Sequence, residues 1–105
     1  MGADLESLSV EPWELAADLV EVDLVLDMRT AEQFARARLP GAVNLTYNDF
    51  QQHALSHVED GMKVLVVDPG GARAAEMAVW LRSRGVLARY LVGGMAAWRG
   101  PLEKN

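Results

Sequence analysis

Apolar and polar positions follow two different patterns in the second half of the chain. Residues 63–68 form a nearly continuous apolar run, typical of a strand that is buried on both faces of a parallel sheet. Residues 73–84 place apolar side chains at the i, i+3, i+4, i+7 spacing of a helix with one buried stripe. The stripe consists of Ala74, Met77, Ala78 and Leu81. The two patterns predict a strand that leads directly into a helix.

The rest of the chain repeats this alternation. Further strands are predicted at residues 22–27, 42–45 and 87–92, and further helices at residues 11–19, 31–36, 48–58 and 93–98. Pro12 suits a first helical turn, Thr30 suits an N-cap, and Gly85 suits a helix end. Strands that alternate with helices predict one α/β domain over residues 1–105, with a mainly parallel sheet of about five strands and helices on both faces.

Composition and charge narrow the range of partners. The chain has 105 residues and a net charge of −5, and residues 1–32 hold nine acidic side chains against one basic side chain, Arg29. A chain of this size can form its own core. An acidic chain without a Lys/Arg cluster is unsuited to nucleic acid and to anionic membranes. The acidic third could meet a basic protein partner, although a solvated face is the simpler interpretation.

Location and assembly are expectations at this stage. No stretch approaches the roughly 20 apolar residues that span a bilayer. The first residues lack the basic and apolar regions of a signal peptide, so we expect a cytoplasmic protein. We also expect a monomer that binds a protein partner.

The residue inventory limits the chemistry further. There are no cysteines, which excludes disulfides, thiolate metal sites and cysteine nucleophiles. His53 and His57 are four apart on a predicted helix, a spacing that can bind zinc. A solvated pair is the favoured interpretation, and we expect neither a metal nor a cofactor.

The loop between the buried strand and the long helix is the candidate site. It comprises Asp68, Pro69, Gly70, Gly71, Ala72 and Arg73. Ligands bind at the carboxyl ends of strands in open α/β sheets, which also brings Asp27 and Arg29 into consideration. A strand-to-helix junction points backbone N–H groups and the positive end of the helix dipole at one spot. The geometry predicts a cradle for an anion or for a nucleophile that is held as an anion.

Four segments of the chain resemble, in order, the signature segments of the rhodanese-like family. They are residues 26–34 (Leu-Asp-Met-Arg-Thr-Ala-Glu-Gln-Phe), 38–44 (Arg-Leu-Pro-Gly-Ala-Val-Asn), 68–73 (Asp-Pro-Gly-Gly-Ala-Arg) and 93–98 (Gly-Gly-Met-Ala-Ala-Trp). The first has one residue fewer before its acid than the family pattern, and Arg38 replaces the family's usual histidine. Neither departure disturbs the order of the segments.

The resemblance implies thiosulfate sulfurtransferase activity, but the residue that would perform it is missing. In the family, a cysteine at the first position of the loop takes sulfur from a donor and holds it as a persulfide. Here that position is Asp68. Sulfur transfer needs a polarisable thiolate, which a carboxylate cannot replace. We therefore expect no catalytic residue and a binding or regulatory module; the alternative is an enzyme of another class that uses Asp68 for non-thiol chemistry.

The other motif residues are expected to be structural. The Asp68 carboxylate can accept hydrogen bonds from the loop amides, and Arg73 is expected to pair with Asp68 or another acid. Asp27 and Arg29 are expected to tie the strand end to its loop. Arg38 is expected to matter little.

Two tryptophans carry expectations about packing. Trp98 belongs to the closing segment and is expected in the core. Trp13 lies beside the acidic residues, and core packing is also the first expectation there. An exposed Trp13 would indicate a docking surface.

Overall fold

The computed structural model describes residues 7–104. Its strands are β1 (Ser9–Val10), β2 (Leu24–Asp27), β3 (Val43–Asn44), β4 (Lys63–Val67) and β5 (Leu87–Leu91). Its α-helices are α1 (Pro12–Ala16), α2 (Ala31–Arg36), α3 (Phe50–His53), α4 (Ala72–Ser83) and α5 (Gly94–Ala97). Short 3₁₀ segments at Tyr47–Asp49 and Ala54–His57 flank α3.

The five strands form one sheet in the order β1-β5-β4-β2-β3, and every neighbouring pair is parallel. The predicted α/β fold with a parallel sheet of five strands is therefore confirmed. The two-residue strand β1 was not predicted, because two residues are too few to show any periodicity. It pairs with the edge of β5.

The core has two parts, one on each face of the sheet. Alternate residues of β4 face opposite sides, as the pleat requires, so that Val64 and Val66 join one cluster while Leu65 and Val67 join the other. The first cluster contains the buried stripe of α4, and all four predicted positions of that stripe are buried. The second cluster contains Trp98, whose predicted core position is confirmed.

The predicted helix over residues 48–58 is wrong as a single element. The segment is a short α-helix between two 3₁₀ turns, and His53 leaves helical geometry at φ −120° and ψ −16°. The hydroxyl of Ser56 donates to the carbonyl of His53 at 2.7 Å, a local bond that competes with the helical pattern. His53 and His57 therefore do not share the face of one regular helix.

Helix α1 is shorter than predicted and begins as predicted. Pro12 is its first residue, and Glu11 with Glu14 forms a capping box at its start. It ends at Ala16, because Asp18 takes a left-handed conformation at φ 58°. The predicted core position of Trp13 is wrong, since 63% of this residue is exposed.

Across residues 7–104, no helix has the length and apolar character to cross a membrane.

Candidate functional site

The candidate loop lies at the carboxyl edge of the sheet, between neighbouring strands. β2 pairs with β4, and Asp27 is the register partner of Val67. The amide of Met28 extends this pairing by donating to the carbonyl of Val67 at 2.8 Å. The two motifs that are far apart in sequence, around Asp27 and around Asp68, therefore start from adjacent strand ends.

The side chain of Asp68 turns into the cradle made by its own loop. Its Oδ1 accepts a hydrogen bond from the amide of Gly71 at 2.5 Å. Its Oδ2 accepts from the amides of Arg73 at 3.0 Å and Ala74 at 3.1 Å. Only 3% of Asp68 is exposed. The carboxylate thus occupies the place at the start of α4 where the sequence predicts that an anion would sit.

A left-handed residue makes this arrangement possible. Gly71, the N-cap of α4, has φ 107°, a backbone conformation that residues other than glycine rarely adopt. It turns the chain so that its amide, with those of the first helical turn, points back at Asp68. The expected hydrogen bonds from the loop amides to Asp68 are present.

Backbone hydrogen bonds from the start of α5 also hold the loop in place. The amides of Met95 and Ala96 donate to the carbonyls of Asp68 at 2.8 Å and Pro69 at 3.0 Å. A Cβ atom on Gly94 would collide with these same carbonyl groups. The glycine pair that begins the closing segment thus lets α5 approach the loop closely, a role that the sequence did not indicate.

The predicted ion pair between Arg73 and an acid is wrong. The guanidinium carbon of Arg73 lies 4.2 Å from the ring centroid of Tyr47, a cation–π contact. The Tyr47 hydroxyl in turn donates to the carboxylate of Glu76 at 3.1 Å. The backbone amide of Arg73 contacts Asp68, whereas its side chain is directed to the tyrosine. The favourable stacking of a planar guanidinium on an aromatic face explains this orientation of the Arg73 side chain.

Glu76 also changes the acidity of Tyr47. The hydrogen bond to the Glu76 carboxylate raises the pKa of Tyr47 above its ordinary value of 10.0, since it favours the protonated phenol. Desolvation and the negative charge of Glu76 act in the same direction, while the charge of Arg73 opposes them. The three side chains form a coupled cluster beside the loop.

Asp27 and Arg29 form a brace at the neighbouring strand end. The Arg29 Nη2 lies 2.8 Å from the Asp27 Oδ2, and Asp27 is fully buried. The same Nη2 donates to the carbonyl of Ala37 at 2.7 Å. Asn44 adds side-chain hydrogen bonds to the carbonyls of Asp27 at 3.1 Å and Arg29 at 3.0 Å. The brace ties β2, β3 and the connection after α2 together.

Arg38 links α2 to the end of the chain. Its Nε lies 3.8 Å from a carboxylate oxygen of Glu103, and its backbone pairs with Glu103 in an isolated antiparallel bridge. Its guanidinium carbon also lies 5.1 Å from the ring centroid of Phe34. These contacts are structural in character.

Metal chemistry has no evident location in the part of the chain that the structure describes. Residues 7–104 contain no group of three or more His, Asp or Glu side chains that could hold a metal ion.

The geometry of the sheet and its loop defines a class of protein. An open parallel sheet carries an anion cradle at a strand-to-helix loop, and an internal carboxylate fills that cradle. Residues 11–101 match the family described as Rhodanese-like domain. The chain therefore belongs to the rhodanese-like domain family.

Known proteins agree with this assignment. The chain is 36% identical over 82 residues to a tRNA sulfurtransferase of Desulfurococcus amylolyticus, a match that covers 78% of this chain and 16% of that relative. The match thus spans about a sixth of that relative's length.

Solved structures show the same fold over whole chains. A rhodanese-like domain protein from Staphylococcus aureus is 27% identical, with a TM-score of 0.81 and coverage of 94% of this chain and 99% of that one. A rhodanese-related protein from Thermoplasma volcanium is 19% identical, with a TM-score of 0.83 and coverage of 94% and 100%. The latter likeness concerns the fold alone.

Proposed function

We propose that this domain is a binding or regulatory module of the rhodanese-like type and does not transfer sulfur. The observation that carries the proposal is the Asp68 carboxylate, which is buried in the cradle and held by three amides. The position that holds the nucleophile in the family is thus occupied by a fixed internal anion.

The sulfur-transfer cycle of the family shows what is lost. A cysteine thiolate attacks the outer sulfur of thiosulfate, a persulfide forms and sulfite leaves. Cyanide then takes the outer sulfur as thiocyanate and the thiolate is regenerated. Both steps need a sulfur atom that is a good nucleophile and a good leaving group. The oxygens of Asp68 are hard nucleophiles that cannot take this role. The chain contains no cysteine that could supply a thiolate instead.

Electrostatics oppose donor binding as well. A donor anion at about 4 Å from the Asp68 carboxylate would be repelled by about 4 kcal/mol at an effective dielectric constant near 20. Pro69 contributes no amide to the cradle, because proline has no N–H. The Arg73 guanidinium, which could otherwise attract an anion, is stacked on Tyr47.

The alternative enzymatic role for Asp68 has less support. A general acid, base or nucleophile must reach its substrate with a free oxygen. Both oxygens of Asp68 already accept amide hydrogen bonds, and the residue is almost fully buried. A small molecule that is turned over by the wild type and not by Asp68→Asn would restore this alternative.

The experiment that tests the proposal measures thiocyanate formation from thiosulfate and cyanide. Wild type, Asp68→Cys and the matched control Asp68→Ser are assayed side by side. We expect turnover in Asp68→Cys alone, since the amides that now hold the carboxylate would hold a thiolate or persulfide. Turnover by the wild type would refute the proposal. No thiocyanate formation by any of the three proteins would show that Asp68 is not the only residue that prevents sulfur transfer.

The binding role is tested separately, without any sulfur donor. A protein partner identified by affinity capture should bind the purified wild-type domain and its Asp68→Ser variant with equal strength, because the closed cradle is not the contact surface. A partner that binds only when thiosulfate is present would contradict a donor-independent module.

A further inference from the structure

The surface beside α1 combines an exposed aromatic side chain with a shallow apolar groove. Trp13 is 63% exposed and Leu19 is 66% exposed, the largest values among the described large apolar residues. Two adjoining depressions run along this helix and share Ala16 and Trp98 in their lining. The two depressions together, from Trp13 to Pro101, are called the α1 groove.

Acidic side chains outnumber basic ones at α1 and in the lining of the α1 groove. Glu11 and Glu14 lie at the start of α1, and Asp18 lines the groove. The groove's basic lining residue is Arg99, whose guanidinium donates to the carbonyls of Ala96 and Trp98 at 3.0 Å. Glu21 is paired with Lys63 at 3.0 Å. An acidic surround disfavours nucleic acid and anionic lipid and favours a basic partner.

Asp18 stands out within this surround. It lines the groove, and no described residue offers its carboxylate a hydrogen bond or an ion pair. It is also the sole non-glycine residue at positive φ in residues 7–104, with φ 58°. Glycine is preferred in this conformation after a helix, and the end of α4 has it in Gly85 at φ 84°.

The carboxylate of Asp18 is exposed and has no hydrogen-bonding or ionic partner among the described residues, so it is accessible to an incoming cation. Left-handed backbone costs an ordinary residue roughly 1 kcal/mol, although aspartate tolerates it better than most. Glycine would remove this cost, so the domain carries the carboxylate of Asp18 at some expense to stability. Its position in the lining of the α1 groove identifies where the charge acts.

We propose that the α1 groove binds a segment of a protein partner in which an apolar side chain is flanked by Lys or Arg. The apolar side chain packs between Trp13 and Trp98, and the cation meets the Asp18 carboxylate or the exposed face of Trp13. This inference rests on the proposed role as a binding module and names the surface that serves it.

The test selects the partner chemistry without assuming it. A displayed library of random twelve-residue peptides is selected on the wild-type domain, and enriched peptides are synthesised and titrated by tryptophan fluorescence. We expect the enriched sequences to share an apolar residue beside Lys or Arg. Their affinity should fall about tenfold in Trp13→Ala, as for an interface hot spot.

The variants at Asp18 separate charge from backbone strain. Asp18→Asn keeps the shape and the tolerance for positive φ but removes the charge, and affinity should fall about threefold, less at high ionic strength. Asp18→Gly should weaken binding equally while raising the melting temperature by a few degrees. A structural role for Asp18 would lower stability in Asp18→Gly instead.

The remaining outcomes overturn the proposal in distinguishable ways. Peptides that bind wild type, Trp13→Ala and Asp18→Asn alike would exclude the α1 groove but leave a binding module at another surface. Enriched peptides of acidic character, or no enrichment, would refute the assigned chemistry, while the assays on Asp68 decide the proposed function independently. A concentration-dependent dimer that Trp13→Ala abolishes would identify a second copy of the chain as the occupant.

Discussion

Removing the Asp68 side chain should turn a closed cradle into an anion site. In Asp68→Ala, the amides of Gly71, Arg73 and Ala74 lose the acceptor that lies 2.5–3.1 Å away in the wild type. Their N–H groups remain, and so does the positive end of the α4 dipole. The variant therefore has the donors of an anion site without the internal anion.

The loss of stability can be estimated from these bonds. Hydrogen bonds to a charged group contribute about 1.5–3 kcal/mol each, and loss of a helix cap costs about 0.5–2 kcal/mol. The three bonds share one charge and water can enter through the exposed Pro69–Gly70 side, so they do not add fully. We expect a loss of about 2–4 kcal/mol, or roughly 10–20 °C in melting temperature for a domain of this size.

Anion dependence distinguishes the proposed cradle from a simple packing defect. Thiosulfate at about 100 times its dissociation constant should restore about 2.7 kcal/mol to Asp68→Ala. It should not stabilise the wild type, whose carboxylate repels it. Urea unfolding followed by tryptophan fluorescence, with ionic strength matched by sodium chloride, measures both effects.

Asp68→Asn is the matched control for this experiment. It fills the same volume and keeps one carbonyl oxygen, but its NH₂ group faces backbone donors. Its stability should lie below that of the wild type, and thiosulfate should help it less than it helps Asp68→Ala. Equal stabilisation of all three proteins by thiosulfate would refute the reasoning, as would an Asp68→Ala variant as stable as the wild type.

Three further predictions concern the surroundings of the loop. Glu76→Gln should lower the raised pKa of Tyr47, measured by NMR titration of labelled tyrosine. In the wild type, the contribution of Tyr47 to folding stability should be constant below pH 10 and fall above it, because Tyr47 ionises at lower pH in the unfolded chain than in the folded domain. Asp27→Ala leaves its largely buried arginine partner, Arg29, without a counter-charge and should cost about 3 kcal/mol in urea unfolding. Gly94→Ala should destabilise the domain more than Gly61→Ala in thermal melts, since both have positive φ but a Cβ atom collides with the loop carbonyls only at the former.

The limits of sequence-based prediction follow from the range of the interactions. The buried stripe of α4 was predictable because its period is dense and uninterrupted over a long helix. The bonds from loop amides to Asp68 were predictable because they join residues within six positions of one another. The orientation of the Arg73 side chain was not predictable, because it depends on contact with Tyr47. Tyr47 is distant in sequence from α4, and its hydrogen bond to Glu76 joins residues 29 positions apart.

The predictions for residues 48–58 and for Trp13 were wrong for different reasons, the first local and the second tertiary. Residues 48–58 have helical composition, yet the backbone yields to a competing hydrogen bond from Ser56 and to the burial of only Phe50 and Ala54. The exposure of Trp13 depends on how α1 docks on the sheet, where Leu15 is its contact with the core cluster. Leu15 packs against the second core cluster, whereas Trp13 stays outside it.

An internal anion also determines how the domain can respond to its surroundings. A ligand shifts an equilibrium only by its differential affinity for the two states, and a donor anion would have to displace a carboxylate that is covalently part of the loop. Such a carboxylate has an effective concentration that no free anion reaches in a cell. Opening the cradle would also deprive the amides of Gly71, Arg73 and Ala74 of their present acceptor. We therefore expect the loop to act as a fixed structural element of this domain and not as a sensor of small anions. Any regulated binding must use side chains that remain exposed, among which Trp13 and Asp18 combine an apolar surface with an unpaired charge in the described part of the chain.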